Sequence, residues 1–197
     1  MRARLATAAI GLPLLLAAVW FPGPWLPVLV SLVAGAAVWE FYRLAQGMGA
    51  RPPLTLGVAW AAGLVADGTL GGHYAGIAVG AGLLASLAWT ALAAPRRLQT
   101  QGSPVGALGN WALTVAGPLY VGWPLAHALL LRGTEGGREW LLLALLTTFA
   151  ADTAAFLVGR ALGRRPLAPA VSPGKTLEGT IGGLAAALLA SVALTTL

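Results

Sequence analysis

Residues 147–183 read TTFAADTAAFLVGRALGRRPLAPAVSPGKTLEGTIGG, and the rest of the chain is organised around them. An apolar segment, Trp140 to Val158, carries a carboxylate, Asp152, in its interior. It empties into a loop holding Arg160, Arg164, Arg165 and Lys175, after which a second apolar segment begins. An aspartate at the centre of a membrane helix costs roughly 2.5–3.5 kcal/mol on insertion scales. Such a residue is retained where it faces a partner or a water-filled cavity. Four cations just beyond it point to a phosphate-rich ligand, with a metal ion between carboxylate and phosphate as one arrangement. The plain alternative is an aspartate paired to a neighbouring helix for packing alone.

Composition sets the solvent. Of 197 residues 58% are hydrophobic and 9% charged, with mean hydropathy +0.80; a soluble domain carries about 25% charged residues. There is too little polar surface to coat a globule, so the fold class expected is all-α, a polytopic membrane helical bundle. Cysteine is absent, which excludes disulfide and thiolate chemistry. With two histidines besides, a zinc site is not expected. Glycine, at 27 residues, is about twice its ordinary share, a sign of close helix packing in a membrane chain.

A membrane-spanning helix needs about 20 mainly apolar residues, and seven segments qualify: 5–21, 25–44, 54–70, 74–94, 107–131, 140–158 and 178–197. The reading is a single transmembrane domain over 1–197 with a cytoplasmic basic loop at 159–178. The N-terminal run with Arg2 and Arg4 also has the outline of a signal peptide. Phe21-Pro22-Gly23-Pro24 between Trp20 and Trp25 reads better as a tight interfacial turn into a second helix. With the N-terminus in the cytoplasm, ten of the twelve cations fall on the cytoplasmic side, and Arg132 and Arg138 sit among acids on the other. The positive-inside rule therefore supports both the segment count and an N-in orientation.

Three small-residue spacings, Gly76-x-x-x-Gly80, Gly159-x-x-x-Gly163 and Gly179-x-x-x-Gly183, predict close backbone packing. Pro118 and Pro124 predict a kinked or interrupted fifth segment. Thr148, Asp152 and Gly159 share one helical face, with Arg160 close to it. Asp152 is expected about 9 Å along the axis from a helix end at Val158. Ser172-Pro173-Gly174-Lys175-Thr176 has the look of a helix start, Ser172 as cap and Pro173 at the first helical position. The amides of Gly174 and Lys175 would then face a phosphate.

Glu178 reads equally as a second carboxylate near the phosphates or as a favourable acid in a first helical turn. Glu40, three residues before Arg43, reads as an interfacial ion pair rather than a catalytic acid. His73 and His127 are not expected to be ligands. Gly174-Lys175-Thr176 is not a Walker A loop, which needs a glycine where Pro169 stands and a preceding strand. Ser172-x-x-Lys175 lacks the companion motifs of the penicillin-binding proteins.

Asp152-x-x-Ala155-Phe156-x-x-Gly159-Arg160-x-x-Gly163-Arg164, followed by Leu167-Ala168-Pro169-x-Val171-Ser172-Pro173-Gly174-Lys175-Thr176-x-Glu178-Gly179, closely resembles the central motif of the phosphatidate cytidylyltransferases (CDP-diacylglycerol synthases). Trp39-Glu40-Phe41-Tyr42-Arg43-Leu44 and Gly117-Pro118-Leu119-Tyr120 are similar to that family as well. The resemblance implies a polytopic inner-membrane enzyme that joins CTP to phosphatidic acid and releases pyrophosphate, with Mg²⁺ as cofactor. The partners implied are CTP, phosphatidic acid and the lipid bilayer, and not nucleic acid.

Carried onto this chain, Asp152 and Lys175 are the expected catalytic residues, with Asp152 on the metal and Glu178 as a second candidate there. Arg160, Arg164, Arg165, Ser172 and Thr176 are expected to bind substrate phosphates. Family members continue into a C-terminal signature with further aspartates, which the 197 residues do not include. A C-terminally truncated chain, a homodimer or complementing C-terminal segment, and a non-catalytic relative that binds lipid phosphate are the expectations this leaves open. A transporter is a weaker alternative.

Overall fold

A computed structural model describes residues 2–98 and 106–196. They form two compact units, Met1–Glu135 and Gly136–Leu197.

Among the described residues the elements of the first unit are helices: α1 (Arg2–Trp20), α2 (Trp25–Gly47), α3 (Leu54–Thr69), α4 (Ala75–Leu98), α5 (Gly106–Gly117), a π-turn (Pro118–Gly122) and α6 (Trp123–Arg132). In α2 the buried side chains Leu26, Val30, Ala34, Val38, Tyr42 and Ala45 recur every three or four residues, a single stripe turned to the interior. The centre of this unit is α3, against which α2, α4 and α6 pack. At 16 residues it is about 24 Å long, short of a full hydrocarbon core. Among the described residues five helical segments are long and apolar enough to cross a membrane: α2, Ala75–Leu92, the continuous Gly106–Arg132, and two in the second unit. Ala9–Trp20 and α3 are the shorter apolar helices, so the seven expected segments are all helical but not of equal reach.

The fifth segment is one continuous helical span, and its α-helix is interrupted at Pro118, as expected. Pro118 has no N–H to give to the carbonyl of Thr114, so the helix widens into a π-turn, closed by Trp123 N–H donating to Pro118 O. The Tyr42 hydroxyl, fully buried, donates to the Thr114 carbonyl at 2.6 Å instead. Its ring lies where a Cβ on Gly57 or Gly117 would stand. Tyr42 of α2 and the Gly117-Pro118 pair, far apart in sequence, thus form one structural device. Tyr42→Phe is expected to leave a buried carbonyl without a donor and to lower stability by about 1–3 kcal/mol; thermal unfolding in detergent micelles measures it.

Two local expectations are corrected in this unit. Arg43 does not pair with Glu40: its guanidinium lies over the Trp39 ring, 4.9 Å from the centroid. Four residues apart on one helix, the indole face offers the cation a close partner without desolvating a carboxylate. Gly76 and Gly80 have nothing within 4 Å of where a Cβ would project, so that spacing makes no close contact among the described residues. Asp67 is buried. Its carboxylate accepts from Tyr74 N at 2.8 Å, which staples the α3–α4 turn. The Nδ1–H of His127 donates to Trp123 O at 2.8 Å.

The second unit is a helical hairpin. Helix α7 (Gly137–Leu162) and helix α8 (Leu177–Thr195) are joined by two short antiparallel strands, β1 (Pro166–Ala168) and β2 (Ser172–Thr176). Register pairs Pro166 with Thr176 and Ala168 with Ser172, with an irregularity between them. Val171 N donates to Ala168 O at 3.1 Å and closes the turn. Phe156, Leu157, Ile181, Leu184 and Leu188 stand exposed on the two helices, as befits segments whose solvent is lipid.

Candidate active site

All the expected site residues lie in the second unit, and its geometry begins with glycine. A Cβ on Gly179 would stand 2.7 Å from Ala155 O and 3.0 Å from both Gly159 Cα and Thr176 Oγ1. One on Gly183 would stand 2.9 Å from Ala151 O and from Ala155 Cβ. Helices α7 and α8 therefore touch backbone to backbone along Ala151, Ala155 and Gly159 on one side and Gly179 and Gly183 on the other. Two of the three predicted small-residue spacings are the seam of this contact.

The seam moves both helix ends from where local sequence puts them. Helix α7 does not stop at Val158 but runs to Leu162, with Gly163 in extended conformation as its cap (φ −62°, ψ 125°). Asp152 consequently lies about 15 Å along the axis from the end of α7, rather than about 9 Å. Nor does α8 begin at Ser172 and Pro173. Those residues are in β2, and the cap is Thr176 (φ −121°, ψ 152°). Its Oγ1 accepts from Gly179 N at 3.2 Å. That same oxygen lies 3.0 Å from the Cβ position of Gly159 and 2.8 Å from that of Gly163. Thr176 is therefore wedged into the glycine seam, and that contact places the first helical turn. The amides of Gly174 and Lys175 belong to a strand, so the expected phosphate seat on a helix N-terminus at those two residues is not present.

The basic side chains are displayed around this join. Arg160 lies in the last turn of α7, Arg164 and Arg165 just beyond it, and Lys175 within β2; all four are exposed. Successive residues of a strand point to opposite faces, so with Thr176 turned into the seam, Lys175 points away from it. Among the described residues the side chains of Arg160, Arg164 and Lys175 have no hydrogen-bond or ion-pair partner. Glu178 is engaged: its Oε2 accepts from Arg164 N at 3.0 Å and from Arg165 N at 3.2 Å. That double contact has no local sequence signature, because it joins the end of one helix to the start of another.

Asp152 is exposed on the flank of α7 and has no protein partner among the described residues. Among the described residues no hydrogen bond or ion pair joins it to the basic side chains, and Arg160 lies about 12 Å further along the same helix axis. Among the described residues no three histidines or acids cluster. A single free carboxylate still fits Mg²⁺, which takes one or two protein carboxylates and completes its shell with phosphate oxygens and water.

Residues 2–197 match the model of the cytidylyltransferase family. A phosphatidate cytidylyltransferase of Pseudomonas aeruginosa is 32% identical over 201 residues, covering 94% of this chain and 67% of the relative. One from Haemophilus influenzae is 55% identical over 49 residues, 25% of this chain and 17% of the relative. One from Staphylococcus haemolyticus is 41% identical over 56 residues, 28% and 22% of the two chains. No solved structure matches. The match over residues 2–197 and the relative covered to 67% show that the chain belongs to the cytidylyltransferase family, as a multi-pass membrane nucleotidyltransferase.

Proposed function

We propose that this chain transfers the cytidylyl group of CTP to phosphatidic acid, giving CDP-diacylglycerol and pyrophosphate, at the cytoplasmic face of the inner membrane. The observation that carries the reading is the set of exposed cations at the α7–β1 junction and in β2, three of them without protein partners among the described residues, together with a carboxylate in the interior of α7 that likewise has none there. A phosphate oxygen of the lipid attacks the α-phosphorus of CTP. The new P–O bond forms as the bond to the β-phosphate's bridging oxygen breaks, and pyrophosphate leaves with that electron pair. Little covalent chemistry is left to the protein, so its task is positioning and charge neutralisation.

Lys175, as a point charge, and Arg160, Arg164 and Arg165, as forked donors, neutralise and orient phosphate oxygens. The Ser172 hydroxyl adds a hydrogen bond, while Thr176 acts through the helix cap it forms. Asp152 would hold Mg²⁺, which when bound offsets phosphate charge. The rest of its shell would come from phosphates and water, or from carboxylates of a complementing segment or a second copy.

The test is an assay of purified protein with radiolabelled CTP, phosphatidic acid and Mg²⁺, read as labelled CDP-diacylglycerol. Lys175→Ala is expected to lower turnover on the order of 10²-fold, the scale of one lost contact to developing transition-state charge. Turnover near that of the wild type would remove Lys175 from the mechanism.

Orientation is tested separately. The chain has no cysteine, so Ala170→Cys at the hairpin turn and Glu135→Cys before α7 report on the two sides. In intact cells an impermeant thiol reagent is expected to label the second and spare the first. The opposite pattern would place the basic loop away from cytoplasmic nucleotide.

A further inference from the structure

We infer that Glu178 is a positioning residue, a carboxylate clamp that ties the start of the basic loop to the first turn of α8. It governs phosphate binding through the arginines it places, not as a metal ligand. The inference rests on the phosphoryl-transfer reading above and deepens it.

Three contacts make the clamp. Glu178 Oε2 accepts from the amides of Arg164 at 3.0 Å and Arg165 at 3.2 Å. Leu177 N donates back to Arg165 O at 2.9 Å. Consecutive backbone N–H groups converging on one point form an anion-binding concavity, and here the anion is supplied by the chain itself. The carboxylate sits in the first turn of α8, where the helix dipole favours it. It also places one negative charge where the Arg165 guanidinium favours it.

The consequence is a division of labour. The backbones of Arg164 and Arg165 are held while the Arg164 side chain is left without a protein partner among the described residues. A phosphate then meets donors whose backbone is already ordered, and binding loses less conformational freedom. A metal on Glu178 would draw Oε2 away from both amides and release the loop. Asp152, by contrast, has no protein partner among the described residues, and the two acids therefore have different tasks.

Hydrogen exchange in detergent micelles tests the clamp, read at the amides of Arg164 and Arg165 in the wild type, Glu178→Gln and Glu178→Ala. These amides lie outside any helix on exposed residues, so the carboxylate is their source of protection. Glu178→Ala is expected to speed their exchange about tenfold or more, the equivalent of one hydrogen bond to a charged group. Glu178→Gln keeps an acceptor of the same shape and should retain most of the protection. In the CTP assay Glu178→Ala should raise KM for a phosphate-bearing substrate with a smaller change in kcat, and Glu178→Gln should restore it.

Unchanged exchange in Glu178→Ala, with the α7 and α8 amides still protected, would overturn the clamp. So would a Glu178→Gln protein that keeps the two amides protected yet is as inactive as Glu178→Ala, since charge on a metal would then be the function. Exchange requires no turnover, so failure of the clamp and failure of the reaction assignment give different results.

Discussion

Asp152→Asn is expected to abolish Mg²⁺-dependent turnover, a loss on the order of 10³-fold or more, while leaving membrane insertion and helix content unchanged. The replacement is isosteric, and a neutral amide is easier to bury in a bilayer than a carboxylate, so α7 has no reason to unfold. What disappears is the one negative charge in the interior of α7 and, with it, the proposed anchor for Mg²⁺. The measurement is labelled CDP-diacylglycerol formed across a Mg²⁺ titration, with thermal unfolding as the control. If the carboxylate only packs a neighbouring helix, the pattern reverses: stability shifts and turnover survives. Turnover within a few-fold of the wild type would assign the metal to other residues.

Gly179→Val is expected to produce the largest structural effect, about 3 kcal/mol of destabilisation, at the upper end of overpacking penalties. The Cβ position already lies 2.7 Å from Ala155 O, a backbone atom that cannot swing aside as a side chain could. Helices α7 and α8 would have to separate, withdrawing Thr176 from its place against Gly159 and Gly163 and loosening the loop that displays Arg164, Arg165 and Lys175. Turnover should fall together with stability. Gly174→Val and Gly80→Ala are the controls, because both positions open onto empty space. Thermal unfolding that ranks Gly179→Val with either control would mean the seam is not a close contact.

The class of fold and the candidate site residues are legible in residue order alone, since each rests on a property that needs no partner. Apolar length marks the spans, and the carboxylate at Asp152 with the cations at Arg160, Arg164, Arg165 and Lys175 marks the candidate phosphate site. Tertiary structure decided whatever depended on a contact between distant segments. Ser172-Pro173 has the local credentials of a helix start, yet a favourable cap contributes only about 1 kcal/mol. The wedging of Thr176 into the Gly159–Gly163 seam set the start of α8 four residues later and left Ser172–Thr176 as a strand.

The same seam carried α7 on to Leu162 and so set the depth of Asp152. Gly76-x-x-x-Gly80 and Gly179-x-x-x-Gly183 are alike as strings. Only the second meets another backbone, because close approach is a property of two helices and a spacing describes one. Glu178 shows the limit most plainly. Its position in a first turn is written in the sequence, but its engagement by the amides of Arg164 and Arg165 exists only once α7 and α8 have folded against each other.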